Sequence, residues 1–239
     1  MTTVPVLSEP RTASLRRAIA GLIGLAAAEE QRLAATADPA ESGSAERWAA
    51  LPVIAHNTDF RQQQVTRLRA VRARGTPPEF AEVDHESAEL YSELTARPPA
   101  AVAAAGWTSA GDLLTELMQA RDDDLVDPAR NPWLRGRQLW LQIIVRGFWH
   151  PAGHLGEYYA RQGQAGQAVA IAEHAVAAAG YLGAPAQACG MASYNLACAY
   201  TAAGRLDAAA AAVETAVALN ADLRANAARD PDLAAIRDS

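Results

Sequence analysis

The last third of the sequence repeats itself, and this feature constrains the possible folds more than any other. Each repeat combines a leucine and a tyrosine, which can fill a groove between helices, with small residues that let two helices approach closely. The two copies stand 41 positions apart: Leu155, Gly156, Tyr159, Gly163, Ala168 and Ala175, and then Leu196, Ala197, Tyr200, Gly204, Ala209 and Ala216. The pattern predicts two successive helical hairpins.

This pattern resembles the tetratricopeptide repeat, whose usual period is about 34 residues. We therefore interpret the segment 180–187, which contains Gly183 and Pro185, as an insertion between the copies. Two such repeats bury too little surface to be stable alone, so we expect them to lean on the preceding helices. Asp230 to Leu233 are predicted to begin a terminal capping turn.

The composition indicates an all-α protein. Half of the residues are hydrophobic, but only 6% are aromatic, and alanine supplies much of the apolar share. Alanine favours helices and permits close helix packing. Alternating runs of β-branched residues, which would predict strands, are missing. We expect a helical bundle, followed by tetratricopeptide-type hairpins.

The N-terminal two-thirds contains the periodicities expected for a four-helix bundle. We predict a tail over residues 1–12, a bundle over 13–160, and repeats over 154–239 that share the last bundle helix. The predicted helical segments span 13–35, 46–74, a stretch from Asp84 with Leu90, Tyr91 and Leu94 facing inward, 107–125, and a strongly apolar stretch from Trp133.

Charge and targeting signals indicate a cytoplasmic protein that binds neither nucleic acid nor membrane. The net charge is −6, and the basic run Arg67, Arg69, Arg72 and Arg74 is interpreted as a solvated helix face. Arg16 and Arg17 precede an apolar stretch as in a signal peptide, but helical periodicity continues beyond it and favours a first bundle helix. Cys189 and Cys198 are interpreted as small buried residues without a disulfide pattern.

Three histidines could form a metal site. His150 and His154 are four residues apart and so face one side of a helix, and His56 lies on another predicted helix. Three protein ligands with one open position are typical of a catalytic metal site. The alternative is that these histidines are ordinary core or surface residues, because their spacing also occurs by chance. Pro151 and Gly147 predict a kink in the same helix.

The segment from Leu51 to Phe60 with His56, followed by His150, Pro151, Ala152, Gly153 and His154, resembles the DinB/YfiT-like superfamily. The resemblance implies a four-helix bundle in which these three histidines hold a divalent ion, either zinc or nickel. It also implies a small-molecule substrate and, for some members, a low-molecular-weight thiol. The alanine- and arginine-rich composition favours an actinobacterial source, in which that thiol would be mycothiol.

Several neighbours of the histidines are candidates for roles in such a site. Asp59 and Glu157 each follow a histidine by about one turn and could orient it or act as a general base, although either could be plain surface charge. Arg146 and Tyr158 could hold an anionic substrate, and Trp149 could line the substrate pocket. The tryptophans as a set could surround the site or simply fill an alanine-rich core. His85 and His174 are expected to have no site role.

Three functions remain open from the sequence. The first is a metal-dependent enzyme that adds a thiol or water to a small electrophile. The second is a non-catalytic protein whose repeats bind a peptide or protein partner. The third is a self-resistance protein that binds or hydrolyses a natural product. A homodimer formed through the bundle or through the repeats is compatible with each.

Overall fold

The computed structural model describes residues 9–80 and 87–237, and all regular structure within those ranges is helical. The all-helical class predicted from the alanine content is therefore confirmed. The chain divides into two compact units, Met1–Pro151 and Ala152–Ser239. The division falls in the first turn of a single continuous helix, His150–Arg161.

The first unit contains α1 (Glu9–Thr36), α2 (Ala50–Arg72), α3 (Ala88–Thr95), α4 (Pro99–Gln119), α5 (Asp122–Val126) and α6 (Leu139–Ile144). Two 3₁₀ turns, Pro128–Arg130 and Pro132–Leu134, lie between α5 and α6. A π-helical segment, Val145–Trp149, follows α6 and leads directly into α7 (His150–Arg161).

The core of the first unit lies where α4 packs against α1 and α2. The π segment also packs against α1 and α2, and so belongs to this core. The fully buried apolar side chains of the first unit's core include Ile19, Ile23, Ile54, Leu113, Leu117, Leu139, Ile143, Ile144 and Phe148. The apolar stretch predicted to be the centre of the bundle is buried as expected.

Several helix boundaries differ from the predicted ones. The first helix begins at Glu9 rather than Ala13, because proline is well tolerated in a first helical turn. For the same reason α4 begins at Pro99, well before the predicted start at Trp107. The helix predicted from Trp133 begins only at Leu139, because Arg135 and Gly136 both have positive φ angles.

The third helix begins at Ala88, with the Ser87 hydroxyl accepting a hydrogen bond from the Leu90 N–H. Of the residues predicted to face inward, Leu94 is buried, whereas Leu90 and Tyr91 are half-buried. The predicted start at Asp84, and His85 beside it, lie outside the described residues.

The second unit begins in α7 and continues with α8 (Ala165–Leu182), α9 (Ala186–Ala202) and α10 (Leu206–Leu219). The turns α7–α8 and α9–α10 contain Gly163 and Gly204, which have φ angles of 71° and 70° and so favour glycine. Ala168 and Ala209, their repeat-related neighbours, are both 0% exposed. The 41-residue repeat thus corresponds to two successive hairpins with matching turns.

The predicted insertion over 180–187 is mostly helical, because α8 extends to Leu182 and α9 begins at Ala186. The longer period is therefore absorbed by longer helices, and the connecting loop is short. After α10, the chain forms α11 (Leu223–Ala227), a 3₁₀ turn over Pro231–Leu233 and α12 (Ala234–Arg237). Leu233 is 0% exposed and packs in the second core, as expected for a capping turn.

None of the helices in the described part of the chain has both the length and the apolar composition required to cross a bilayer.

Candidate metal centre

The π-helical segment positions the first histidine of α7. The N–H of His150 donates to the carbonyl of Val145, five residues earlier, and Pro151 follows with no N–H to donate. A Cβ atom built on Gly147 would lie 2.6 Å from Cγ1 of Ile23, so only glycine fits against α1 here. The departure from α-helical geometry therefore lies beside His150.

The three predicted ligands come together. The Nε2 atoms of His56 and His150 are 2.9 Å apart. One ligand nitrogen from each of His56, His150 and His154 lies within 4.8 Å of the other two. His154 follows His150 by four residues on the continuous helix α7, so both imidazoles lie on one helix face.

The chemistry of this donor set fits a divalent cation. Two Nε2 atoms at 2.9 Å repel each other through their lone pairs unless a proton or a cation lies between them. Two nitrogens bound to one zinc ion at about 2.1 Å are roughly 3.4 Å apart in a tetrahedral site. The Nε2 atoms of His56 and His150 are 2.9 Å apart, and the three ligand nitrogens all lie within 4.8 Å of one another. A small rotation of the imidazole rings would bring these distances to the value expected for zinc.

Aromatic rings enclose the two histidines of the first unit. The His56 side chain is 1% exposed and meets the Trp48 ring edge-on at 4.9 Å between ring centroids. Phe60 stacks on His150 with ring centroids 4.2 Å apart and planes inclined by 8°. This surrounding apolar surface limits access of water to the ligand nitrogens.

The two candidate carboxylates have different environments. Both carboxylate oxygens of Asp59 accept hydrogen bonds from Arg97 at 2.8 Å, which favours a structural role for this residue. A carboxylate oxygen of Glu157 lies 3.9 Å from Nδ1 of His154, and Glu157 also forms an ion pair with Arg161. Glu157 is therefore close enough to orient His154 after a modest rotation.

The three candidate substrate-binding residues have different surroundings. The Arg146 guanidinium carbon lies 4.1 Å from the centroid of the Phe60 ring, the same ring that stacks on His150. Tyr158 is buried and contacts Tyr159 edge-on at 5.7 Å, within the second unit. Trp149 is half-buried at the end of the π segment. Arg146 thus has the most direct connection to a ligand histidine.

Two of the remaining tryptophans differ widely in exposure. Trp140 is 3% exposed in the core, and its indole N–H donates to Gln138. Trp107 is 60% exposed and neither fills the core nor lies in an enclosed pocket. His174 is exposed on α8, and its Nδ1 faces the Ala170 carbonyl.

Arg67 departs from the predicted solvated face. Arg69 and Arg72 are about half exposed and pair with Glu116. The Arg67 guanidinium instead lies over the rings of Phe80 and Trp133, and burial lowers its pKa below the usual range. Periodicity alone could not separate Arg67 from its neighbours, because the covering residues come from other parts of the chain.

A cavity of about 850 Å³ lies near the C-terminal end of α2, lined by residues that include Arg72, Arg74, Glu116, Asn131 and Trp133. None of the three histidines lines it. Much of its charge is already paired, since Glu116 accepts hydrogen bonds from Arg69 and Arg72. The histidine cluster is therefore the stronger candidate for chemistry, although it lies outside this cavity.

Comparison with protein-family models, with curated proteins and with solved structures gives no match for this chain.

Proposed function

We propose that this chain is a metal-dependent enzyme that adds a low-molecular-weight thiol, or water, to a small electrophile. The observation that carries the proposal is the convergence of His56, His150 and His154 within 4.8 Å. Three neutral imidazoles form a ligand set that suits zinc or nickel and leaves a coordination position open. A divalent metal held there would lower the pKa of a water or thiol and supply a nucleophile at neutral pH.

The residues around the metal would bind it, shield it from water or orient its ligands. His56 and His150 provide two converging nitrogens, and α7 carries His154 to the same point. Trp48 and Phe60 shield the first two imidazoles from bulk water. Glu157 would orient His154 through Nδ1, in the manner of a carboxylate that fixes a metal-binding histidine.

The proposed architecture is a DinB-like bundle in the first unit, followed by tetratricopeptide-type hairpins in the second. Support for the bundle comes from the order of the ligands, with one histidine on α2 and two on α7. Support for the hairpins comes from the matching glycine turns at Gly163 and Gly204.

A kinetic comparison tests the proposal. The purified protein, loaded with zinc or with nickel, would be incubated with mycothiol or N-acetylcysteine and 1-chloro-2,4-dinitrobenzene, and thioether formation followed by absorbance. A parallel assay would follow hydrolysis of p-nitrophenyl acetate by water. We expect acceleration over the uncatalysed reaction that a chelator and the His150→Ala, His154→Ala double variant both abolish. Acceleration that persists in the double variant would place the reaction elsewhere.

Absence of acceleration by the metal-loaded wild type with every probe would count against the enzyme and favour a binding role. The matched control is His174→Ala, which removes an exposed histidine of the second unit. This variant should retain the wild-type rate with each probe.

A further inference from the structure

One face of α2 connects the candidate metal centre to polar and basic residues that have no carboxylate partner in the part of the chain that the structure describes. His56, Phe60, Gln64 and Arg67 follow one another at helical spacings of four, four and three residues, which place them on one face. Phe60 contacts the ring of His150 at 4.2 Å and the guanidinium of Arg146 at 4.1 Å. Arg146 is therefore one aromatic ring away from a metal ligand.

Three polar side chains in this region have buried atoms without partners. Nη1 of Arg146, Nε1 of Trp133 and both amide atoms of Gln64 lack a hydrogen-bond partner in the part of the chain that the structure describes. Gln64 is 0% exposed. Leaving such groups unsatisfied is costly, so each calls for an explanation such as a bound ion or ligand.

The charges in this region also lack compensation. Among the described residues, neither Arg146 nor Arg67 has a carboxylate within ion-pair distance. Burial and the positive charge of Arg67 together lower the pKa of Arg146 to about 10. An anion bound to Arg146 would offset both the cost of its burial and the repulsion from Arg67.

Arg61, a fully buried arginine of α2, provides a contrast. It is 0% exposed, and two of its nitrogens donate to the two carboxylate oxygens of Glu30 at 2.9 and 2.6 Å. Its Nε donates to the hydroxyl of Ser109. Arg61 is therefore fully compensated, whereas Arg67 on the same helix and Arg146 in the π segment have no carboxylate partner among the described residues.

We infer that Gln64, Arg67 and Arg146 form a subsite for an oxyanion, either a carboxylate or a phosphate group, on the substrate of the metal centre. The inference rests on the proposed function, and narrows its substrate to small anionic electrophiles. The planar guanidinium of Arg146 can donate to two oxyanion oxygens at once. The amide nitrogen of Gln64 would donate a further hydrogen bond, and Arg67 would add positive charge. Phe60 separates this subsite from His150 and would space the anion from the reacting carbon.

Calorimetric titration of the full-length protein with acetate, inorganic phosphate and neutral acetamide tests the subsite. We expect an anion to bind, acetamide not to bind, and Arg146→Met to weaken anion binding about tenfold or more. Tighter binding of acetate would identify a carboxylate substrate, and tighter binding of phosphate a phosphate ester. The control Arg17→Met removes an exposed arginine of α1 and should leave the affinity unchanged.

Arg146→Lys keeps the positive charge but cannot donate two parallel hydrogen bonds as a guanidinium does. It serves as a second variant if Arg146→Met fails to fold. It should weaken anion binding by a smaller factor than Arg146→Met. Equal anion affinity in wild type and in Arg146→Lys and Arg146→Met, or no anion binding by the wild type, would overturn the subsite.

Zinc titration of the same samples separates the two proposals. Zinc binding by wild type and by Arg146→Met, without anion binding, would remove the subsite and leave the metal centre. Arg146-dependent anion binding by a protein that binds no zinc would leave the subsite as an anion site and remove the metal-dependent function on which its substrate role rests.

Discussion

At the scale of single residues, the first unit combines two kinds of buried charge. The Glu30 carboxylate accepts hydrogen bonds from Arg61 and from Nδ2 of Asn57, the residue next to His56. This compensated network ties α1 to the part of α2 that carries His56, the first candidate metal ligand. Within residues 9–80 and 87–237, Arg146 has no carboxylate partner, and this separates a candidate ligand site from a structural ion pair.

Removing one partner of the compensated pair should be strongly destabilising. We expect Glu30→Ala to lower the free energy of unfolding of the first unit by about 3–5 kcal/mol, because it leaves the Arg61 charge buried and unpaired. Urea denaturation followed by tryptophan fluorescence measures this unit selectively, since all five tryptophans precede Ala152. Replacing both partners by apolar residues, Glu30→Leu with Arg61→Met, should cost less than the single change. A Glu30→Ala variant as stable as wild type would refute the assignment of Glu30 and Arg61 as a buried ion pair.

At this scale the sequence predicted the candidate metal ligands, but it did not predict which arginines are paired with a carboxylate and which are not. The spacing of His150 and His154 fixes their relation within one helix, so local periodicity suffices for these two. His56 lies 94 positions before His150, and its inclusion depended on the family resemblance. The partners of Arg61 lie 31 and 48 residues away on other helices. Such partners depend on how helices pack, and a single sequence contains no direct record of that packing.

At the scale of elements, the π segment is the feature that most directly positions the candidate site. Its five residues lie between α6 and α7, and Gly147 lets α1 approach it closely. Proline and glycine predicted a disturbed helix here, but not its form. The form depends on Ile23 and Leu113, which lie against Gly147 and belong to distant helices.

Adding a methyl group at this point should disturb both packing and metal binding. We expect Gly147→Ala to lower the free energy of unfolding of the first unit by about 1–3 kcal/mol, because the new Cβ would overlap the Ile23 side chain. The same shift should weaken zinc binding by moving His150. Denaturation and zinc titration of one sample would measure both effects.

Gly111→Ala is the matched control, because nothing lies within 4 Å of a Cβ built there on α4. It should raise helix stability by about 0.5–1 kcal/mol and leave zinc binding unchanged. Equal effects of the two substitutions would show that the close approach to Ile23 is unimportant.

At the scale of the whole molecule, the two units differ in how well the sequence predicted them. The hairpins of the second unit were predictable because both copies of the pattern are present in one chain, with glycine at each turn. The helix ends of the first unit were less predictable, since proline both ends and begins helices there. The all-α class follows from composition and needs no packing information.

The second unit should lose stability in alkaline solution. Burial and the nearby Asp230 and Asp232 raise the pKa of the Cys198 thiol to about 12. An unfolded cysteine ionises near pH 8.5, so above that pH the unfolded chain loses the thiol proton first, and this ionisation lowers its free energy relative to the folded state. The contribution is fully present below about pH 8.5 and is lost as the pH rises towards 12.

We therefore expect Cys198→Ala to reduce the pH dependence of the free energy of unfolding above pH 8.5, by up to about 1.4 kcal/mol per pH unit. Urea denaturation followed by far-ultraviolet circular dichroism at several alkaline pH values would measure the slope. Cys198 is half-buried rather than fully buried as predicted, and identical slopes in wild type and variant would show that its surroundings do not hold the thiol protonated.

The most direct test of the metal centre is the metal content of the purified protein, measured by inductively coupled plasma spectrometry after equilibration with zinc or nickel and dialysis. The account predicts near-stoichiometric metal in wild type and in His174→Ala, and its loss in His56→Ala and in the His150→Ala, His154→Ala double variant. Metal that persists in the triad variants, or no metal in the wild type with either ion, would contradict the account.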